Sequence, residues 1–413
     1  MKRNLMHIAL FLAFSLLMVK CNNSKKKADN QVEKTYSVWM AESEMNRNKN
    51  GKPRWTYVPG LVNMAILKVW EMKGDQKFYD YVEKGYMDQL IDSTGTILGY
   101  DKDEFNIDHI NAGKMLFTFY EKTGDERYRT AMESLMDQLR EHPRVSEGGF
   151  WHKKIYTNQM WLDGLYMGAP FYAEYVKNFG DPSDFDDITN QFLLIEKYLL
   201  DDKTGLYYHG WDESKSIFWA DPETGRSKNF WGRGIGWFYM AFVDVLDFLP
   251  EDHKDRAKIV DMYKNLTDAL LRHQDEETGL WYQVVNMPDR EGNYLESSCA
   301  SMFAYGMFKG MKKGILNEEA YLQPAIKAYN GILKNFIKVE DNGNLTLTSA
   351  CRVAGLGPEK NTRRDGSFEY YMSEPIVSND GKANGPFILA SLFVESKPEW
   401  MKMVEVGLLL KSN

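Results

Sequence analysis

Turn signals recur along this chain at a fixed place, each closing a helix-length segment. They read Asp92-Ser93-Thr94-Gly95, Gly148-Gly149-Phe150-Trp151, Lys203-Thr204-Gly205-Leu206-Tyr207, Glu277-Thr278-Gly279-Leu280-Trp281 and Asn342-Gly343-Asn344-Leu345. A glycine turn followed by aromatic or branched residues marks a short extended segment, and recurrence every 55–75 residues or so marks a repeat architecture. Between the turns lie apolar segments of helical length in pairs, at 55–72 with 76–91, 108–122 with 126–141, and 158–177 with 184–200. The series continues with 231–249 and 253–273, 297–312 and 318–338, and 384–395 and 398–411. Second members, such as 125–139 and 254–272, are amphipathic and charged, as helices with one wet face should be. First members are richer in Gly, Ala, Met and aromatics, as helices packed on both sides should be. Six inner and six outer helices closing on themselves predict an all-α (α/α)6 barrel, a six-hairpin toroid with short extended segments in the rim loops. An open solenoid would need capping repeats, and none is identifiable.

The ends of the chain read differently. Lys2 and Arg3 precede an apolar run at 8–19, too short to span a bilayer, and Cys21 follows at once. The pattern is similar to a bacterial lipoprotein signal, in which the Cys becomes the lipidated first residue, although Lys20 stands where a small residue is usual. Residues 1–21 are therefore expected to be a signal, 22–50 a polar tether and 51–413 one catalytic domain. Export follows, to the periplasm or to the outer membrane through a lipid anchor on Cys21, with secretion without an anchor as the alternative. A net charge of −8 and the lack of a basic run interleaved with aromatics argue against a nucleic-acid partner. Cys299 and Cys351 sit in no metal-ligand spacing; they could pair in an oxidising compartment, but two thiols in a chain this long are more often separate buried residues.

The chemistry should gather where the inner helices begin. The stretch from Met160 to Phe171 is apolar almost all the way round except for Asp163, and a carboxylate there is bonded, neutralised or functional. The bland reading is a helix cap. Asp108, at a second apolar-flanked start, carries the same two readings. Together Asp108 and Asp163 form a candidate acid/base pair for glycan hydrolysis. Lys153, beside His152, and Arg233, among three glycines in Trp231-Gly232-Arg233-Gly234-Ile235-Gly236-Trp237, are candidates to hold a carboxylate, Arg in a bidentate fork. Lys153-Lys154 could equally be a solvated loop. Trp161, Trp211, Trp231 and Trp237 are candidate sugar platforms, Trp211 and Trp231 foremost because they flank polar turns. His209 follows an extended Tyr207-Tyr208.

From about residue 50 to 397 the chain resembles the unsaturated rhamnogalacturonyl hydrolases, glycoside hydrolase family 105. The resemblance rests on Gln159-Met160-Trp161-Leu162-Asp163-Gly164-Leu165-Tyr166-Met167, on the Trp231–Trp237 block, and on Ser373-Glu374-Pro375-Ile376-Val377-Ser378-Asn379-Asp380 with Gly385-Pro386-Phe387. Ile235 stands where many relatives have Asn. The resemblance implies the (α/α)6 barrel and removal of a terminal 4,5-unsaturated uronic acid from acidic oligosaccharides made by polysaccharide lyases. It implies hydration of the double bond with Asp163 as general acid and base, and Asp108 positioning substrate or water. His152, Lys153, Trp161, His209, Trp231 and Arg233 fall at binding positions, no metal or organic cofactor is implied, and the protein is expected as a monomer or homodimer. Three alternatives stay open: an unsaturated glucuronyl hydrolase of glycosaminoglycan or ulvan fragments, an inverting glycosidase using the two Asp separately, and a surface glycan-binding lipoprotein without turnover.

Overall fold

A computed structural model of the protein describes residues 34–405. The expected signal at 1–21, the tether as far as residue 33 and residues 406–411 of the last expected helix lie outside the described residues. From Thr35 onward the described residues belong to one compact unit.

The helices alternate as the spacing predicts. After α1 (Tyr36–Asn48) come α2 (Tyr57–Lys73), α3 (Gln76–Val82), α4 (Lys114–Thr123), α5 (Glu126–Glu141), α6 (Leu162–Phe179) and α7 (Phe185–Leu199). Then follow α8 (Gly232–Val245), α9 (Arg256–Arg272), α10 (Ser297–Lys312), α11 (Glu318–Asn335) and α12 (Gly381–Glu395). The inner ring is α2, α4, α6, α8, α10 and α12. Each packs on the next, and α12 packs back on α2, so the ring is closed rather than open. Inner helices approach closely where glycines face large side chains. A Cβ at Gly236 of α8 would sit 2.6 Å from Met302 Sδ on α10, and one at Gly385 of α12 would sit 2.8 Å from Leu61 Cγ on α2.

The recurrent turns have one construction. Asp201 Oδ2 accepts from Thr204 N at 2.9 Å and Thr204 Oγ1 at 2.8 Å, and Asp275 Oδ2 accepts from Thr278 N at 2.7 Å and Oγ1 at 2.6 Å. Gly205 and Gly279 then take φ 75°, a left-handed conformation that costs glycine little. The extended segments in the rim are three two-stranded antiparallel ribbons. They pair β1 (Gln159–Trp161) with β2 (Gly210–Asp212), β3 (Ile337–Val339) with β4 (Leu345–Leu347), and β5 (Ala350–Cys351) with β6 (Ile376–Val377).

Three expectations are corrected. The tether reading fails over α1, where Tyr36, Met40, Ala41 and Glu44 form a buried stripe at helical spacing that packs on α12 and α2. The last outer helix fails too, because only Pro398–Met401 is helical among the described residues after α12. These two corrections have one cause: α1 occupies the sixth outer position, fixed by Ser37 N donating to Glu395 Oε1 at 2.9 Å and Asn384 Nδ2 to the buried Glu44 Oε1 at 2.8 Å. Third, the helix expected from 108 begins as two 3₁₀ turns, Ile107–His109 and Asn111–Gly113, before α4. Cys299 and Cys351 are separate, buried and free, as expected.

Replacing Met40, which is fully buried in α1, with Ala is expected to lower unfolding stability by about 2–5 kcal/mol in a denaturant titration. A tether would show no change.

Candidate active site

The starts of all six inner helices converge on one mouth of the barrel, and the β1–β2 ribbon sets its centre. Trp161 pairs with Gly210, and Leu162 N donates to His209 O at 3.0 Å, which places the His209 ring beside the first turn of α6. Glycine is needed at 210, since a Cβ there would lie 2.6 Å from Leu356 Cδ1 and 2.9 Å from Trp161 Cδ1. Asp163 Oδ2 then stands 3.3 Å from His209 Nε2. Neither atom has a hydrogen-bond partner of good geometry among the described residues, so Asp163 is not a cap. Its side chain keeps 13% exposure while His209 has none.

The other ring nitrogen is occupied. His209 Nδ1 lies 2.8 Å from the Tyr371 hydroxyl, and burial holds that phenol well above its usual range, so Tyr371 keeps its proton. With Nδ1 engaged by Tyr371, Nε2 is the ring nitrogen left to face Asp163.

Asp108 lives in the opposite environment. Its helix start is capped by Asn106, whose Oδ1 accepts from Asp108 N at 3.1 Å, so the cap reading of Asp108 falls away. The Asp108 carboxylate instead takes Lys153 Nζ at 2.6 Å and faces His152 Nε2 at 3.5 Å. Burial is the largest influence and would raise this carboxyl, yet the net direction is downward because Lys153, by charge and hydrogen bond, acts against it together with His152 and His109. His152 adds little to that at neutral pH, for burial lowers its imidazole to about 4. Asp108 therefore stays ionised, and Lys153 is committed to it rather than being a solvated loop residue.

Arg233, at the start of α8, is 1% exposed. Its Nε donates to Ser298 Oγ at 2.7 Å, and Nη2 reaches Glu296 Oε1 at 3.5 Å and the Cys351 carbonyl. Glu296 in turn caps α10, accepting from Cys299 N at 2.8 Å. The expected free bidentate fork is thus taken up by the protein, and only Nη1 is left without a partner.

The tryptophans also need correcting. Trp211 stacks on Tyr198 at 3.8 Å and donates to Thr224 O at 3.1 Å, so it belongs to the core and not to the site. Trp231 is at the site, but its ring is buried against His209 at 4.6 Å and Tyr371 at 6.2 Å, a wall rather than an open platform. Trp161 lies between His152, stacked at 4.3 Å, and Tyr156 at 4.4 Å. Trp237 is core.

Sequence reasoning missed five contributors. Tyr57 opens α2, and its half-buried phenol is raised first by desolvation and then by Asp108, with Asp163 and Arg233 also within electrostatic reach. Glu296 opens α10. Asp380 and Lys382 open α12, paired at 2.8 Å. The signal that exposed Asp108 and Asp163, a polar residue at an inner-helix start, would have found all of these. Tyr371 had no such signal, because it comes from the short helix Phe368–Ser373. Among the described residues a three-residue group with ligand-like spacing is Asp186, His253 and Asp255, away from this mouth and engaged with Lys254 and Thr189.

Comparison with known proteins identifies the family. The profile of Glycosyl Hydrolase Family 88 matches residues 23–396. A glycoside hydrolase of family 105 from C. acetobutylicum, of solved structure, is 48% identical with a TM-score of 0.85, covering 88% of this chain and 100% of that one. Protein Atu3128 of Agrobacterium fabrum is 37% identical over 227 residues, 54% of this chain and 96% of its own length. The unsaturated rhamnogalacturonyl hydrolase YesR of Bacillus subtilis is 26% identical over 302 residues, 72% of this chain and 79% of its own.

The Lys153–Asp108 pair makes a pH-dependent prediction. A carboxyl held below its ordinary value contributes stability above that value and loses it as pH falls through the depressed one. Lys153→Met is therefore expected to destabilise the protein more at about pH 7 than at about pH 3, in paired denaturant titrations. Equal losses at both would show that Lys153 does not hold Asp108 ionised.

Proposed function

We propose that this chain, which belongs to Glycosyl Hydrolase Family 88, removes a terminal 4,5-unsaturated uronic acid from lyase-generated oligosaccharides of the rhamnogalacturonan or pectin type. It is an enzyme, a glycoside hydrolase of the unsaturated uronyl group. The name of YesR supports the substrate class. The observation that carries the mechanism is the contrast between two carboxylates at one mouth: Asp108 saturated by Lys153, Asp163 without a hydrogen bond and still reachable from solvent.

In this reading Asp163 gives its proton to C4 of the enol ether while water adds at C5 and returns a proton to the same carboxylate. The hemiketal so formed opens and releases the next sugar. One group that is acid and then base must be free of fixed partners, which Asp163 is. His209, steadied by Tyr371, orients that carboxylate without consuming it. Asp108, kept ionised, accepts from a ring hydroxyl or from the attacking water. For the uronate carboxylate, the unpartnered donor is Arg233 Nη1, beside the N-terminal ends of α6 and α8, whose flanking residues Trp161 and Trp231 supply no side-chain cap. His152, Trp161 and Trp231 wall the pocket. The lipoprotein-like start supports export, to the periplasm or to an outer-membrane anchor through Cys21.

The test is turnover on unsaturated fragments prepared separately from rhamnogalacturonan, homogalacturonan, ulvan, heparin and chondroitin, read by loss of the conjugated alkene's ultraviolet absorbance. Wild type is expected to act best on the rhamnogalacturonan fragments. Asp163→Asn is expected to fold and bind substrate but lose about 10²–10⁴-fold in kcat. Full activity in that variant removes Asp163 from the chemistry, and preference for glycosaminoglycan fragments overturns the substrate class.

A further inference from the structure

The inner helices run parallel, so the ring has a second mouth at their C-terminal ends. Asp163 and Glu174 both lie on α6, eleven residues apart, which puts Glu174 about 16 Å from the chemistry along the axis. This second mouth holds a cavity of about 320 Å³, contributed to by all six inner helices and walled by apolar side chains such as Leu67, Met115, Leu389 and Phe393. That is within the size range of small-molecule sites, which are mostly apolar with a few convergent polar groups.

Nearly every charge at this mouth has a partner. Lys309 Nζ meets Asp244 at 2.7 Å and Asp247 at 2.6 Å, Lys313 meets Asp247 at 2.5 Å, Lys68 meets Glu71 at 2.6 Å, and the Tyr305 hydroxyl donates to Asp244 at 2.6 Å. Lys114 is the exception. Its side chain is nine-tenths buried, its ammonium has no hydrogen-bond acceptor among the described residues, and the Tyr166 ring lies 3.8 Å from Nζ to centroid, with Asp244 and Glu174 in electrostatic reach. The Tyr166 hydroxyl, fully buried, makes no hydrogen bond of good geometry, although Asp244 lies within its reach. Burial lowers Lys114 to about 8 and raises Glu174 to about 8, so near neutral pH Lys114 still carries most of a charge while Glu174 is largely neutral. An unpartnered ammonium in an apolar cavity asks for an anionic acceptor, and the walls ask for a hydrocarbon body.

We propose that this second mouth is a binding site for a small amphipathic carboxylate, its carboxyl group on Lys114 Nζ and its apolar body between α2, α4 and α12. The neutral Glu174 can donate to the second carboxylate oxygen. Nothing in this site overlaps the residues assigned to the reaction, so it stands or falls independently of the substrate reading.

Hexanoate, hexanol and hexylammonium titrated calorimetrically into the full chain test the proposal. Hexanoate is expected to bind at least about tenfold more tightly than either of the others, the worth of one charge-assisted hydrogen bond. Lys114→Met is expected to lose about that factor while keeping wild-type turnover, and Glu174→Gln, which preserves a donor, to stay within about threefold. Equal binding of hexanol, preference for hexylammonium, or undiminished hexanoate binding by Lys114→Met overturns it. Should Lys114→Met fail to fold, a crystal of wild type soaked in hexanoate decides: carboxylate density at Lys114 Nζ supports the site, and none there overturns it.

Discussion

Charge pairing at the barrel mouth decides which group is free to react. Three cations and four carboxylates meet there, from five inner-helix starts and one rim loop. Lys153 goes to Asp108, Arg233 to Glu296, and Lys382 to Asp380. Asp163 is left with the edge of a histidine that is itself held from behind by Tyr371. Each pair has a structural reason as well as an electrostatic one. Removing one partner of a pair as buried as Arg233–Glu296 strands the other and costs about 3–5 kcal/mol. The pairs that hold the mouth together thereby leave one carboxylate unclaimed.

The ring is also what makes distant residues local. His209 reaches Asp163 because β1 and β2 are in register, and that register tolerates only glycine at 210. Arg233 reaches Glu296 because Gly232 and Gly236 let α8 close on α10; a Cβ at Gly232 would meet Cys299 Sγ at 3.0 Å. Tyr371 arrives from the loop between β5 and α12, more than 160 residues after its imidazole partner.

This separates what the sequence could reveal from what it could not. Helix pairs and Asp-Thr-Gly turns are local patterns, so the barrel, its inner members, five of its six outer helices and the mouth positions of Asp108 and Asp163 were legible. The family resemblance added the roles. Direction of a side chain is not local. Trp211 and Trp231 sit beside similar polar turns, yet one stacks on Tyr198 in the core and the other walls the site. Asn106 and Asp108 are two residues apart at one helix start, and either could cap it; Lys153, forty-five residues on, settles which one does by claiming the Asp. The sixth outer helix was misplaced because ring closure lets the first helix of the described chain complete the last pair, and α1 hides its buried stripe among Glu, Asn and Arg.

Parallel inner helices give the two mouths opposite electrical character. Their N-terminal ends, where amide protons are unpaired, surround Asp108, Asp163, Glu296 and Asp380, and such ends favour anions. Their C-terminal ends present carbonyls, and there Lys309 and Lys313 collect, as cations do at that pole, with Lys114 reaching the same cavity from the first turn of α4. At the first mouth the field lowers the cost of gathering carboxylates, including one brought by an acidic sugar. At the second it lowers the cost of burying ammonium groups, and the acidic side chains present neutralise all but one of them. The same asymmetry of the ring that lets an acid remain unpaired at one end leaves a lysine unpaired at the other.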